Sequence, residues 1–291
     1  MENKYNITVA IPTYNSSIYL KECLVGFKNS KYINEILIGD DCSDKEDFSN
    51  VQTIVEDVKN ILNCEIKLLR NSKNIGAYAN KYSLVATAKN DWVYQIDSDN
   101  VPIKNIDRII KNVLDEDSEN EYIYYPTKLI QFRKYKKIAQ LFSSFRKKYR
   151  VIFSNKSLIF DMSKTKEAVV ENVSYENRKK SNNDIENFPE LDSDYVKEKH
   201  IFWVLNCGNF IVNKSIFKKR MKKGLNYERE LLSMDALAFS YLWLKNGGSI
   251  KLMEGLTHYH RKRYDSVSFI ERESSVKSRQ YFTNKILESS L

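Results

Sequence analysis

The stretch Asp91-Trp92-Val93-Tyr94-Gln95-Ile96-Asp97-Ser98-Asp99-Asn100 decides how this chain is read. Trp92, Val93, Tyr94 and Ile96 form a short apolar run of the kind that buried strands carry. Two carboxylates one residue apart end the run, and Asn100 with Pro102 predicts that the sheet stops there. In open α/β sheets, ligands gather beyond the carboxyl ends of the strands. Asp97 and Asp99 in such a place repel each other unless something positive lies between them. A hard divalent cation with oxygen ligands, its coordination completed by a diphosphate, meets that need. Asp-Ser-Asp-Asn is also ordinary turn chemistry, so the neighbouring segments carry the decision.

Upstream, Ile7-Thr8-Val9-Ala10-Ile11 reads as a first strand stopped by Pro12. Ser16 or Ser17 can cap a helix that turns Ile18, Leu20, Cys23, Leu24 and Phe27 toward a core. A second strand is predicted over residues 35–39, ending in Asp40-Asp41-Cys42-Ser43-Asp44. Val51, Ile54, Val55, Val58, Ile61 and Leu62 then recur at helical spacing. A third strand over 65–69 and a helix over about 77–88 lead into the opening stretch. Strands alternating with helices predict an α/β fold with a mostly parallel sheet. The polar clusters at 12–16, 40–44, 71–76 and 97–100 all follow strands, so one ligand site can draw on all four.

The second half is less regular. Residues 131–150 form a basic stretch whose Phe132, Tyr135, Ile138, Ala139, Phe142, Phe145 and Tyr149 recur at helical spacing. Residues 172–199 are polar and read as an insertion. Strand-like segments are predicted over 201–212, and a helix over about 231–245 ends at Gly247-Gly248.

The chain has 291 residues and a net charge of +9, which suits an anionic partner without choosing among nucleotide, nucleic acid and membrane surface. No nucleic-acid-binding motif is present. No apolar stretch approaches the ~20 residues that span a bilayer, and the first residues lack the apolar segment of a secretory signal. The expectation is therefore a cytoplasmic protein. Cys23, Cys42, Cys64 and Cys207 are scattered, and with three histidines they make no zinc pattern.

Four segments together resemble the family 2 glycosyltransferases with a GT-A fold: Val9-Ala10-Ile11-Pro12-Thr13-Tyr14-Asn15, Asp40-Asp41-Cys42-Ser43-Asp44, residues 71–80 from Asn71 through Gly76 to Asn80, and Asp97-Ser98-Asp99. The resemblance covers residues 7–112 and 203–268. It implies one GT-A domain, with a nucleotide-sugar half over 1–112 and an acceptor and base half over 113–291. It assigns Pro12, Tyr14, Asn15, Asp40, Asp41, Gly76, Asn80, Asp97 and Ser98 to the nucleotide-sugar, with Asp41 or Asp40 on the base ring N–H and Tyr14 beside the base. Either aspartate can instead cap a turn, Gly76 can be a hinge and Asn80 an exposed helix residue. Asp99 is implied as the direct ligand of Mn²⁺ or Mg²⁺, Asp97 as a ribose or water-mediated metal ligand, and His260 or His258 as a third metal ligand. Arg261 and Arg263 are implied as phosphate clamps.

The family's catalytic base is a carboxylate at the start of a late helix. Here Met234-Asp235 stands where an acidic pair is usual, making Asp235 the candidate and Glu230 the reserve. Asn206-Cys207-Gly208-Asn209 is implied to border the acceptor. Trp203 is a candidate for stacking on a sugar face or for a place in the core.

The resemblance implies a metal-dependent, inverting transfer from a nucleoside-diphosphate sugar, UDP by default, to an acceptor hydroxyl. The acceptor is expected to be a bacterial surface glycan or a lipid-linked one. The stretch 131–150 can either meet an anionic membrane on its inner face or pack its aromatic stripe inward. A sugar nucleotidyltransferase would carry a glycine-rich first loop, which Ile11-Pro12-Thr13-Tyr14 lacks. A non-catalytic nucleotide- or glycan-binding module on the same fold is the other alternative.

Overall fold

The computed structural model describes residues 4–116, 122–132, 148–152, 157–181, 195–196, 201–222, 232–261 and 272–289. In the first part β1 (Ile7–Thr13), α1 (Ser17–Val25), β2 (Ile33–Asp40), α2 (Lys45–Lys59), β3 (Glu65–Arg70), α3 (Ala77–Thr87) and β4 (Trp92–Gln95) alternate as their apolar spacing predicts. β1 runs parallel to β2 on one side and β4 on the other, and β2 runs parallel to β3.

The chain continues through β5 (Val101–Pro102), α4 (Ile106–Glu116), β6 (Tyr122–Pro126), β7 (Lys128–Phe132), β8 (Lys148–Ile152), β9 (Leu158–Phe160) and α5 (Met162–Ser181). Then follow β10 (Tyr195–Val196), α6 (Ile201–Leu205), β11 (Phe210–Asn213), α7 (Lys214–Arg220), α8 (Asp235–Lys245), β12 (Ser249–Met253), β13 (His258–Arg261) and α9 (Arg272–Glu288). Among the described residues the large sheet has the order β3-β2-β1-β4-β11-β6-β12-β9, so strands from both sides of residue 112 share it. A smaller sheet has the order β10-β8-β7-β13-β5.

Alternation along the strands builds a core on each face of the large sheet. Ile7, Val9, Ile11, Ile36 and Ile38 pack with the apolar stripes of α1, α2 and α4. Ala10, Leu37, Val93, Phe210 and Val212 pack with α3, α7 and α8. A sheet covered on both faces needs near-continuous apolar strands, which is what these are. α8 is buried along its whole body from Ala236 to Leu244, and Phe239 stacks on Tyr78 of α3 with ring centroids 4.2 Å apart.

Several expectations are corrected. Pro12 does not end β1, which pairs on to Thr13 opposite Asp40. The Ala10 carbonyl accepts from Ile96 on the β4 side, and residue 12 faces that same side two positions on. The last β1–β4 pair is Ala10 with Gln95, so the N–H that proline lacks has no ladder partner there. Ile18 is 70% exposed rather than in the core, because α1 turns Leu20, Cys23 and Leu24 inward. In the large sheet β4 does end before Asp97 as expected, and Pro102 lies in β5, which pairs with β13 in the smaller sheet.

The helix expected over 131–150 is not what its ends form. Residues 128–132 and 148–152 pair as antiparallel strands, while 133–147 lie outside the described residues. Of the expected insertion, residues 172–181 continue α5 and 182–194 lie outside the described residues. The strand expected from residue 201 is instead helical up to Leu205, with strand only from Phe210. The late helix starts at Asp235, not Leu231.

At the edge of the sheet opposite the acidic turn, Glu35 is 1% exposed. Its carboxylate accepts from Thr8 Oγ1 at 2.7 Å, Lys89 N at 2.7 Å and Lys67 Nζ at 2.9 Å. Burial alone would push this carboxyl up, but the Thr8, Lys89 and Lys67 donors outweigh it and hold it below the usual 4.5. A carboxyl depressed by folding stabilises the protein above its unfolded value, and that contribution is lost as pH falls through the folded one. Glu35→Gln should therefore cost about 1–3 kcal/mol at pH 7. The difference from wild type should close as the pH drops below 4.5, as read by urea unfolding at a series of pH values.

Candidate active site

The acidic turn is stitched to the end of β1. Ser98 Oγ lies 2.9 Å from Ser16 Oγ, and Ser16 Oγ lies 2.9 Å from Thr13 Oγ1, all three being buried. β11 lies antiparallel beside β4 with Phe210 opposite Gln95, which carries residues 206–209 to the carboxyl end of β4. There the Asp97 N–H donates to Asn209 Oδ1 at 2.9 Å. Gly208 packs so closely that a Cβ would stand 2.6 Å from Asp97 Oδ2 and 3.1 Å from Lys81 Nζ.

Lys81 is the residue that the sequence reading missed. Its ammonium, on a residue only 5% exposed, lies 2.9 Å from Asp97 Oδ1 and 2.8 Å from Asp235 Oδ2. Burial works against the charged form, but Asp235 and Asp97 outweigh it and hold Lys81 above the usual lysine range. The signal was available: Tyr78, Lys81, Leu84 and Val85 share one helical face, and a lysine on an apolar face needs anionic partners. Asp235 occupies the first turn of α8, where helix N–H groups favour negative charge. Its side chain is 18% exposed and that of Asp97 is 31% exposed, so both keep a face toward solvent.

The nucleotide-side residues divide by exposure. Asp41, 3% exposed, accepts from Asn71 Nδ2, Ile75 N and Gly76 N, each at 2.9 Å, and so anchors the loop before α3. Asp40 is fully buried, with Ser43 N and Arg70 Nε beside its carboxylate. Asn80 is also buried and donates to the Gly39 carbonyl at 2.8 Å. Gly76 has φ +87° and open space where a side chain would project. Beside Pro12, Tyr14 is 48% exposed at the rim. Asn15 has φ 45°, with its N–H on Ser43 Oγ and its Oδ1 accepting from Asp44 N. Positive φ is uncommon outside glycine and here keeps this loop tight against the 40–44 loop.

The family described as Glycosyl transferase family 2 matches residues 8–165, more than half of the chain. The chain belongs to this family. It is 30% identical to abequosyltransferase RfbV of Salmonella typhimurium over 116 residues, which is 39% of this chain and 34% of that protein. The match thus spans about a third of that curated relative's length. Crystal structures of S. aureus TarS 1–349 share the fold. The complex with UDP superimposes with TM-score 0.53 at 18% identity, covering 97% of this chain and 69% of TarS 1–349. The complex with UDP-GlcNAc gives 0.52 at 17%, covering 97% and 70%. The expected GT-A arrangement of a mostly parallel sheet between helices is thereby borne out.

Three more residues that the family resemblance pointed to, His258, His260 and Arg261, lie on β13. His258 is 2% exposed, and burial, aided by His260, holds it well below the usual 6.5. His260 is half-buried, with its ring 6.0 Å from that of His258. Arg261 is 4% exposed; its guanidinium pairs with Glu22 and covers the Tyr19 ring at 4.6 Å, and its Nε donates to the Asp99 carbonyl at 3.2 Å. Arg263, Glu230 and the side chain of Trp203 lie outside the described residues. Among the described residues no three His, Cys, Asp or Glu side chains converge as a metal cage. The donor set at the turn is hard oxygen, which fits Mg²⁺ or Mn²⁺ if the ligand itself supplies further oxygens.

Asp41→Ala would remove the acceptor of the Ile75 N–H and one of two acceptors each from the Gly76 N–H and the Asn71 amide. Hydrogen bonds to charged groups are worth on the order of 1.5–3 kcal/mol, and a loss of that size is expected in thermal or urea unfolding. A variant as stable as wild type would show that the 71–76 loop is held by other means.

Proposed function

We propose that this protein transfers a sugar from a nucleoside-diphosphate donor, UDP by default, to an acceptor hydroxyl, with inversion at the anomeric carbon. The observation that carries the reading is the meeting of Asp97 and Asp235, 138 positions apart in sequence, on one lysine at the ligand-binding edge of the sheet. Family membership, the curated abequosyltransferase relative and the TarS structures with UDP and UDP-GlcNAc support it.

In the reaction, Asp235 accepts the proton of the acceptor hydroxyl as its oxygen bonds to the anomeric carbon. The bond from that carbon to the β-phosphate oxygen breaks, and nucleoside diphosphate leaves. Asp99, with Asp97, would hold Mn²⁺ or Mg²⁺, which when bound offsets charge developing on the departing diphosphate. Tyr14 offers an exposed ring for the base, and Gly76 leaves room for close approach of the ligand. The acceptor class we propose is a bacterial surface glycan or its lipid-linked precursor. Among the described residues no helix is long and apolar enough to cross a membrane.

The donor is found by a thermal-shift panel of UDP-, CDP-, GDP- and dTDP-linked hexoses with and without Mn²⁺. Asp99→Ala should abolish the Mn²⁺-dependent part of donor affinity in titration calorimetry. Asp235→Asn should keep donor affinity and lose about 10²–10⁴-fold in turnover. Wild-type turnover in Asp235→Asn would remove the base assignment, and donor binding indifferent to Mn²⁺ would remove the metal.

A further inference from the structure

Lys81 sits where a buried charge is costly, and the position has no need of one for packing: Tyr78, Leu84 and Val85 on the same face of α3 are enclosed by the apolar core. Its ammonium is shared between a carboxylate that ends β4 and one that begins α8. Each comes from a different layer of the fold, and both keep part of their surface open. Other titratable groups near this cluster include the Cys23 and Cys207 thiols and the Tyr94 and Tyr125 phenols, all raised by burial. Cys207 is pushed up to about 12, and none of the four competes as an anion. Gly208 closes the cluster from the β11 side, where a Cβ would meet both Asp97 Oδ2 and Lys81 Nζ. Ser240 on α8 donates its one proton to the Leu205 carbonyl, so Tyr125 donates to Ser240 at 2.8 Å, which fixes α8 against this end of the sheet.

We infer that Lys81 is a positioning residue for the transfer reaction: one ammonium sets Asp235 against Asp97, so that the proton acceptor and the donor-binding turn hold a fixed mutual geometry. The inference rests on the assignment of Asp235 as base. Lys81 itself is held by two carboxylates and acts through them rather than on the sugar. Two carboxylates drawn toward one cation stay near each other; without it they repel, and Asp235 is displaced from the line of attack. Displacements of about 1 Å in such arrangements can cost on the order of 10²-fold in rate.

The test is a double-mutant cycle on turnover, using the activated sugar that gives the fastest nucleoside-diphosphate release with Mn²⁺. Lys81→Met should lower turnover by about 10²-fold, and Lys81→Arg, which keeps the charge, should recover most of it. Added to Asp235→Asn, Lys81→Met should cost nothing further, because residues that act as one unit are non-additive. Losses that multiply in the double variant overturn the inference, as does wild-type turnover in Lys81→Met. Wild-type turnover in Asp235→Asn overturns the base assignment as well, and so is distinguished from failure of the Lys81 role alone. Gly208→Ala provides the same reading should Lys81→Met fail to fold. It keeps every charge and crowds Asp97 Oδ2 and Lys81 Nζ, so turnover should fall in a protein that still unfolds cooperatively. Unchanged turnover there counts against the inference.

Discussion

A lysine ammonium buried between two carboxylates constrains the rest of this molecule. Asp97 can reach Lys81 only if β4 lies beside β1, with α3 packed across their shared face. Asp235 can reach it only if α8 is wholly buried on that same face, its Phe239 against Tyr78. Losing one member of a buried ion pair typically costs about 3–5 kcal/mol, because the charge left behind has no compensation. Here the two carboxylates keep exposed faces while the lysine does not, so the buried charge that needs both partners is that of Lys81. The cluster thus joins β4 to α8 while its two carboxylates stay in part open to solvent.

The opposite edge of the sheet gives the contrast. Glu35 also meets a lysine, a hydroxyl and a backbone N–H, but there the carboxylate is sealed and its acceptor capacity is taken up within the chain. The same residue types serve the fold at one end and remain available at the other. Exposure separates the two, not the motif. By that measure Asp40 and Asp41 side with Glu35. They are enclosed, and their hydrogen bonds set the shape of the 40–44 and 71–76 loops, beside which Tyr14 stays exposed.

How far the chain could be read in advance follows from this distinction. Period-two and period-3.6 apolar patterns are local and strong over residues 7–96, so the alternation of strands and helices was legible, as was the edge where the polar loops gather. The error at Pro12 came from reading proline as a stop when the direction its nitrogen faces decides the matter. The error at 201–205 came from a short apolar run, Ile201 to Leu205, that suits a buried strand or a buried helix equally well. Asp235 was reached through the family resemblance, while its helix was expected to begin at Leu231 rather than at Asp235 itself. Lys81 was not weighed, since its meaning depends on two anions distant in sequence. Asn80 and Asp41 were read as facing a ligand, and only the folded loops show how much of their hydrogen bonding is spent on Gly39, Ile75 and Gly76.

The acidic turn has a second support that bears on how a diphosphate would be met. β5 follows the turn directly and pairs with β13, and Arg261 on β13 donates to the Asp99 carbonyl while its guanidinium engages Glu22 and the Tyr19 ring on α1. The position of Asp99 is therefore set through its backbone by Arg261, 162 residues further along. A guanidinium 4% exposed and engaged in this way braces the turn, and to clamp a phosphate it would have to leave Glu22 and expose that carboxylate in its place. Exchanging one charge-assisted contact for another gives little net gain unless the donor brings more negative charge than Glu22 provides. A diphosphate does bring more. As the structure stands Arg261 is the brace, engaged with Glu22, the Tyr19 ring and the Asp99 carbonyl.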